Sequence, residues 1–269
     1  MSLGISLKYS FHPKELNNWK ARITERIVGL YIRETLTPEL KKEGFELIFW
    51  NNPPLPLGIT AALLKGSKEI DWEKECYERV TVYRAGERKN VKDLPKEERR
   101  YYVEQWKKDK KEAATKIPKE IKLFFLENGF YPDSNLFNST IRLFSLMEVA
   151  TDGILFKLKI TGKTIKKKKA LSGLEDRFNY TNIPEEIPVV SGEIEFIEIK
   201  SGKAFIMRHQ AENYREVIES GYNLHYFHVF IISFENNQFE ITEKLVKNVA
   251  EFNELTRTER RRPKIRVNA

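Results

Sequence analysis

The stretch Ile194-Glu195-Phe196-Ile197-Glu198-Ile199-Lys200, closed at once by Ser201-Gly202, decides how the rest of the chain is read. Charged and aliphatic residues alternate over a short run that a Ser-Gly pair ends, which predicts a strand whose successive side chains point to opposite faces. Ile194, Phe196, Glu198 and Lys200 then share one face. Its two apolar members make that face at least partly buried, and burying a carboxylate beside an ammonium costs several kcal/mol unless something compensates it. A Glu-Lys pair placed this way is either a cross-strand ion pair at the end of an edge strand or part of a chemical site.

The 269 residues are enough for a substantial core, in one large domain or two small ones. An apolar share of 41% with 12% aromatics argues a folded globular chain. No apolar run is long enough to span a bilayer, and Met1-Ser2-Leu3-Gly4 does not open a basic-then-apolar leader, so the expectation is a soluble, cytoplasmic protein. Cys76 is the only cysteine, which excludes an internal disulfide and any all-cysteine metal site. A formal charge of +8 points to an anionic partner, nucleic acid before membrane surface.

Working outward, Trp19, Ile23, Ile27 and Leu30 recur at helical spacing, which predicts one long helix over 15–43, or two joined at Thr37-Pro38. Residues 45–50 read as a strand stopped by Asn51-Asn52-Pro53-Pro54. Together they make residues 1–52 the first helix and strand of a core. Residues 53–145 read as a charged, mostly helical insertion. Residues 146–256 hold the remainder of the core. There, Thr151-Asp152-Gly153 leads into a strand, and a lysine-rich loop or flap over 161–188 precedes the central strand. A helix over 204–220 follows it, then a buried strand over 224–234 and a last helix over 240–254. Residues 257–269 form a basic tail. Without the insertion the order is αβββαβ, a mixed α/β sheet flanked by helices.

Thr151-Asp152-Gly153-Ile154, then Glu198-Ile199-Lys200, then Gln210 one turn into the next helix, resembles the signature of the PD-(D/E)xK nuclease superfamily, which includes restriction endonucleases and archaeal Holliday-junction resolvases. Thr24-Glu25-Arg26 in a helix, followed by Gly44 and the strand at 45–50, is similar to the opening of the resolvase branch, where a helix glutamate faces the active site. The resemblance covers about residues 15–52 and 148–234 and omits the block between. Two departures stand out. Thr151 occupies a position where the family often has Pro, and Asp152 and Glu198 are further apart than the family's usual short hairpin, unless the loop at 161–188 absorbs the excess. The resemblance implies a restriction-endonuclease-like fold, Mg2+ or Mn2+ as cofactor, endonucleolytic cleavage of duplex or branched DNA, and a homodimer.

The residue types suit that chemistry on their own terms. A hard divalent cation wants a few oxygen ligands, which Asp152, Glu198 and the Ile199 carbonyl could supply. Lys200, on the same face as Glu198, would stand beside the attacking water. Glu25 shares a helix side with Ile32 and Leu36, so its carboxylate could turn inward as a second-metal or outer ligand, and Gln210 could orient Lys200 or the nucleophile. Each also has a plain structural reading: Asp152-Gly153 as a turn pair, Glu25 as a surface residue paired with Arg22, Gln210 as a half-buried polar residue. Lys166, Lys167, Lys168 and Lys169, with Arg260, Arg261 and Arg262, are solvated segments or a clamp on a phosphate backbone. Few aromatics interleave with them, which favours duplex contact over base stacking. His225 and His228 lie three apart on a strand and face opposite sides, His12 and His209 have no spaced partner, and Cys76 sits among glutamates, so none of these is expected to ligate or attack. The rival functions are a non-catalytic nucleic-acid-binding protein on the same fold and a basic scaffold for a partner.

Overall fold

Pro38 has no N–H to give to the carbonyl of Glu34, and the helix before it adapts rather than breaks. In the computed structural model, helix α1 (Pro13–Tyr31) passes through a π-helical turn at Ile32–Leu36 into α2 (Thr37–Lys42). The Thr37 hydroxyl donates to the Ile32 carbonyl at 2.9 Å, and the Thr37 N–H reaches the same oxygen. Of the two expectations, one long helix or two joined at Thr37-Pro38, the structure gives a continuous rod dilated by a π-helical turn. The structure describes residues 13–54, 59–67, 69–84, 86–147, 149–174, 182–202, 204–233 and 238–261.

Strand β1 (Glu46–Asn51) follows, then α3 (Ile59–Leu64), α4 (Trp72–Arg79), and the hairpin β2 (Thr81–Arg84) and β3 (Glu87–Asn90). The long helix α5 (Lys96–Glu127), the short strand β4 (Tyr131–Pro132) and α6 (Ser134–Leu146) complete the first half. The second half runs β5 (Gly153–Lys166), α7 (Lys167–Ala170), β6 (Glu186–Ser201), α8 (Arg208–Glu219), β7 (Asn223–Ser233), β8 (Gln238–Val246) and α9 (Val249–Arg261).

The protein is an α/β structure with a mixed six-stranded sheet in the order β1-β5-β6-β7-β8, β4 lying beside β6. β1, β5 and β6 are antiparallel neighbours, whereas β6 and β7 are parallel and joined by the crossover helix α8. The stretch 194–200 lies in β6, and its alternation is realised on both faces. Ile194 and Phe196 join a core with Ile154, Phe156, Leu224 and Tyr226, covered by α5, α6, α8 and α9. Ile197 and Ile199 face the other way, against Leu155, Phe227, Val229 and Val28 of α1. Strand β7, between β6 and β8, is buried on both faces as expected from its apolar run; Phe234 lies outside the described residues.

Two expectations fail. Residues 240–254 are not one helix: the polypeptide runs through β8 along β7 and starts α9 only at Val249. The β-branched Ile241 and Thr242 favour a strand there, and β7 offers hydrogen bonds that a helix could not use. Nor is 161–188 simply a loop, because β5 and β6 pair up to Lys166 and Glu186, with an irregularity between Ile160 and Thr164. The hairpin's far end packs Ala170, Ile183 and Ile187 against Leu126 of α5.

Within 53–145, α4, the β2–β3 hairpin and the start of α5 enclose a small core of Cys76, Val91, Leu94 and Val103. Burial raises the Cys76 thiol pKa. The later part of α5 and α6 joins the main core through Ile117, Ile121, Phe125, Leu143 and Phe144. Among the described residues no helix is long and apolar enough to cross a membrane.

The β5–β6 pairing leaves no room at Gly192, where an added Cβ would overlap the Lys157 carbonyl oxygen on the neighbouring strand. A backbone atom cannot swing aside, so Gly192→Ala is expected to lower unfolding stability by about 2 kcal/mol or more, read as a shifted midpoint in denaturant.

Candidate active site at the end of the central strand

The last three residues of the quoted stretch meet the head of β5. Asp152 immediately precedes β5, and its N–H donates to the Ile197 carbonyl at 3.1 Å, which fastens it to β6. Its own carbonyl accepts from the Asn52 N–H at 3.1 Å. Asn52 takes φ of 47°, a left-handed conformation that asparagine tolerates better than most residues. Thr151 is buried and donates its hydroxyl to the Ile197 carbonyl, so threonine anchors this position where a proline could not. The Asp152 carboxylate accepts from the Ile199 N–H at 2.6 Å. Ile199 thus touches the site through its N–H.

Glu198 is 2% exposed, and both its oxygens are engaged. One meets the Lys200 ammonium and the Gln210 amide, the latter at 3.3 Å, and the other accepts from the Tyr214 hydroxyl. Gln210 also accepts from Lys200 at 3.4 Å and from the Met207 N–H at 3.2 Å. Lys200 and Gln210 therefore stand where the sequence places them. Tyr214, one turn beyond Gln210 on the buried side of α8, is a partner that the sequence reading missed. The i, i+4 spacing of Gln210 and Tyr214 was its visible signal.

The electrostatics are unbalanced. Burial raises Asp152, the nearby Glu198 and more weakly Glu25 raise it further, and the Ile199 N–H and Lys200 only partly oppose them, so its pKa is lifted from 3.8 to about 7. Glu25 on α1 is thereby placed within electrostatic reach of Asp152. Burial and the charge of Glu198 push Tyr214 well above its usual value, so it remains a donor. Among the described residues no three His, Cys, Asp or Glu groups already converge as a ready metal cluster.

The lysine cluster does not border this site. Lys166 ends β5, and Lys167, Lys168 and Lys169 form α7, about 40 Å from Asp152 at the usual rise per strand residue. Arg260 and Arg261 end α9, their side chains outside the described residues, as is all of Arg262.

A second polar cluster, also unforeseen, lies on the opposite face of β6. Fully buried Glu195 meets Lys157 at 2.9 Å and the Nδ1 of His225 at 2.8 Å. The other ring nitrogen of His225 meets Glu243 of β8 at 2.6 Å, and Tyr31 of α1 donates to Glu243 at 2.7 Å. Burial alone would lower His225, but its two carboxylate partners outweigh that and raise it. Burial would raise Glu195 and Glu243, but hydrogen bonds from His225, joined by Lys157 and Tyr31 respectively, hold both carboxyls low. A cavity of about 460 Å3 at this end of β6 is lined by Lys157 and Lys247 against Glu193 and Glu195, a balanced set with no excess charge. His228, on the other face, binds the Gly202 carbonyl at 2.7 Å and the Tyr226 hydroxyl at 3.0 Å, so the two histidines do face apart.

Comparison with known proteins found no matching family model, no matching curated protein and no matching solved structure.

A carboxyl whose folded pKa is raised favours the native state below its unfolded pKa near 4, and that contribution is lost as pH rises through about 7. The raised value corresponds to about 4 kcal/mol of strain in the ionised site. In EDTA, Asp152→Asn should therefore raise the melting temperature at pH 8 by about 5 °C or more and leave it unchanged at pH 4. On the other face, His225→Ala leaves Glu195 buried with one partner fewer. It should lower unfolding stability by about 3–5 kcal/mol in a denaturant titration at pH 6, with a smaller loss above the raised histidine pKa.

Proposed function

We propose that the chain is a metal-dependent nuclease of the PD-(D/E)xK type that hydrolyses DNA phosphodiester bonds. The observation that carries this reading is the convergence of Asp152 from the head of β5, Glu198 and Lys200 from the end of β6, and Gln210 from α8, with Asp152 driven toward neutrality by burial and by the neighbouring charge of Glu198. The path α1, β1, β5, β6, α8, β7, antiparallel through β6 and parallel from β6 to β7, supports a restriction-endonuclease-like core.

The donor set fits a hard divalent cation, since buried carboxylate oxygens outnumber the one ammonium between them. Asp152, Glu198 and the Ile199 carbonyl would hold it, with Glu25 as an outer or second ligand. Bound there, Mg2+ or Mn2+ would supply charge neutralisation at the phosphate and a more acidic water. Lys200, freed from Glu198, holds the nucleophilic water and stabilises charge growing on the phosphate oxygens. Gln210 keeps Lys200 aimed, and Tyr214 fixes the orientation of Glu198.

One observation favours the rival, a nucleic-acid-binding protein with an idle site: both Glu198 oxygens already have protein partners. Incubation of supercoiled plasmid and branched DNA at low salt, with Mg2+, Mn2+ or EDTA, separates the two. Cleavage should require metal and fall by about 10²-fold or more in both Asp152→Ala and Lys200→Ala. Wild-type protein that binds DNA but never cuts it, with Asp152→Ala binding equally well, would transfer the assignment to the binding protein.

A further inference from the structure

The turn between β6 and α8 holds two large apolar side chains in solvent beside the site. Phe205 is 53% and Met207 57% exposed, while Ile206 between them is 2% exposed and joins the main core. The alternation is fixed in place rather than loose. The Gly202 N–H donates to the Val229 carbonyl at 3.0 Å, the Gly202 carbonyl meets His228 at 2.7 Å, and the Ala204 N–H donates to the Ser201 carbonyl at 3.0 Å. At its far end the Met207 N–H binds the same Gln210 oxygen that Lys200 donates to, which puts the exposed pair at the mouth of the site. A phenylalanine and a methionine that are each more than half exposed on an anchored segment forgo part of the burial that such side chains usually gain.

We infer that Phe205 and Met207 contact the bases of the strand cut at this site, and that the substrate is therefore DNA with unpaired bases next to the scissile phosphate. The inference rests on the nuclease reading and narrows it. A paired duplex offers its phosphates to Lys200 but keeps its base faces stacked; only a single strand, or the splayed arm of a branch, exposes a face on which an aromatic ring can stack. Charge around the site is compatible with such a polyanion: Arg208 is exposed at the start of α8, and Arg22 and Arg26 are exposed on α1 beside Glu25. This differs from the expectation of duplex contact drawn from the lysine and arginine clusters.

The test uses the full chain in EDTA, where nothing is cut, with a 20-nucleotide strand carrying 2-aminopurine and the same sequence as a closed duplex. Wild-type protein should bind the single strand at least about tenfold more tightly than the duplex and quench the 2-aminopurine. Phe205→Ala and Met207→Ala, both at exposed positions, should weaken single-strand binding by about 5- to 100-fold, abolish the quenching and weaken duplex binding far less. Equal binding of the two DNA forms, no binding of either, or variants that bind single strand like wild type would each overturn the inference. A parallel Mg2+ cleavage assay on the same DNAs separates the two failures. Cleavage with unaffected variants refutes the base contact alone, whereas selective single-strand binding without cleavage by any metal refutes the nuclease reading and leaves the contact standing.

Discussion

Buried Glu198 near the end of β6 and half-buried Asp152 at the head of β5 face a single ammonium, and much of the structure around β6 is arranged to tolerate this. Glu198 could not be fully buried without the Lys200 ammonium, the Tyr214 hydroxyl and the Gln210 amide. Two of those three come from α8. The helix that connects parallel strands β6 and β7 is therefore fixed twice, by Val217 and Ile218 in the core and by Gln210 and Tyr214 on the charge. Asp152 is held by main-chain bonds to β6 and β1, so its position follows from strand pairing rather than from side-chain packing.

The same strand carries a second buried acid on its other face, and parity keeps them apart. Glu195 and Glu198 are three residues apart on a pleat of period two, so each faces its own cluster, and a slip of one residue would exchange both. Register is accordingly pinned from either side. Lys157 and His225 answer Glu195, while Lys200 and the α8 pair answer Glu198. Through Glu243, the Glu195 cluster also reaches Tyr31, whose pKa its hydrogen bond to Glu243 lifts to about 12. That bond ties α1, the bearer of Glu25, to the far strand of the sheet.

Which of this could be read in the sequence follows from how local each signal is. The alternation at 194–200, the long apolar run of β7 and the helix after Ser201 are short-range patterns, and they placed Glu198, Lys200 and Gln210 on the correct elements. β8 was hidden because Glu240, Glu243 and Lys244 fall at helical spacing, whereas on the strand Glu243 turns in to His225 and Tyr31. The hairpin at 161–188 was hidden because glycine and lysine punctuate it, although Thr161, Thr164 and Ile165 are strand-formers. The Glu195–His225 contact depends on the register of two strands separated by a helix, which no local pattern encodes. Phe205 and Met207 looked like part of a helix, and only the start of α8 at Arg208 turns them into a rim.

A buried ion pair by itself says little about function, because structural networks perturb titration as readily as catalytic ones do. The two clusters on β6 permit a comparison within one molecule. In the Glu195 cluster, two carboxylates face a lysine and a histidine whose pKa those carboxylates raise against burial, and both acids are held low. That is a closed circuit, satisfied by the protein's own groups. At the other end Asp152 has Glu198 and, more weakly, Glu25 as like-charged neighbours against Lys200, and with burial as the largest cause its carboxyl moves up rather than down. Glu195 and Glu198 lie on the same strand and are both buried, so the depth of these two acids does not distinguish the clusters. The difference is that negative charge where β5 and β6 meet is less fully matched by the protein's own cations than at Glu195, and this is the physical ground for proposing the chemistry at Asp152 rather than at Glu195.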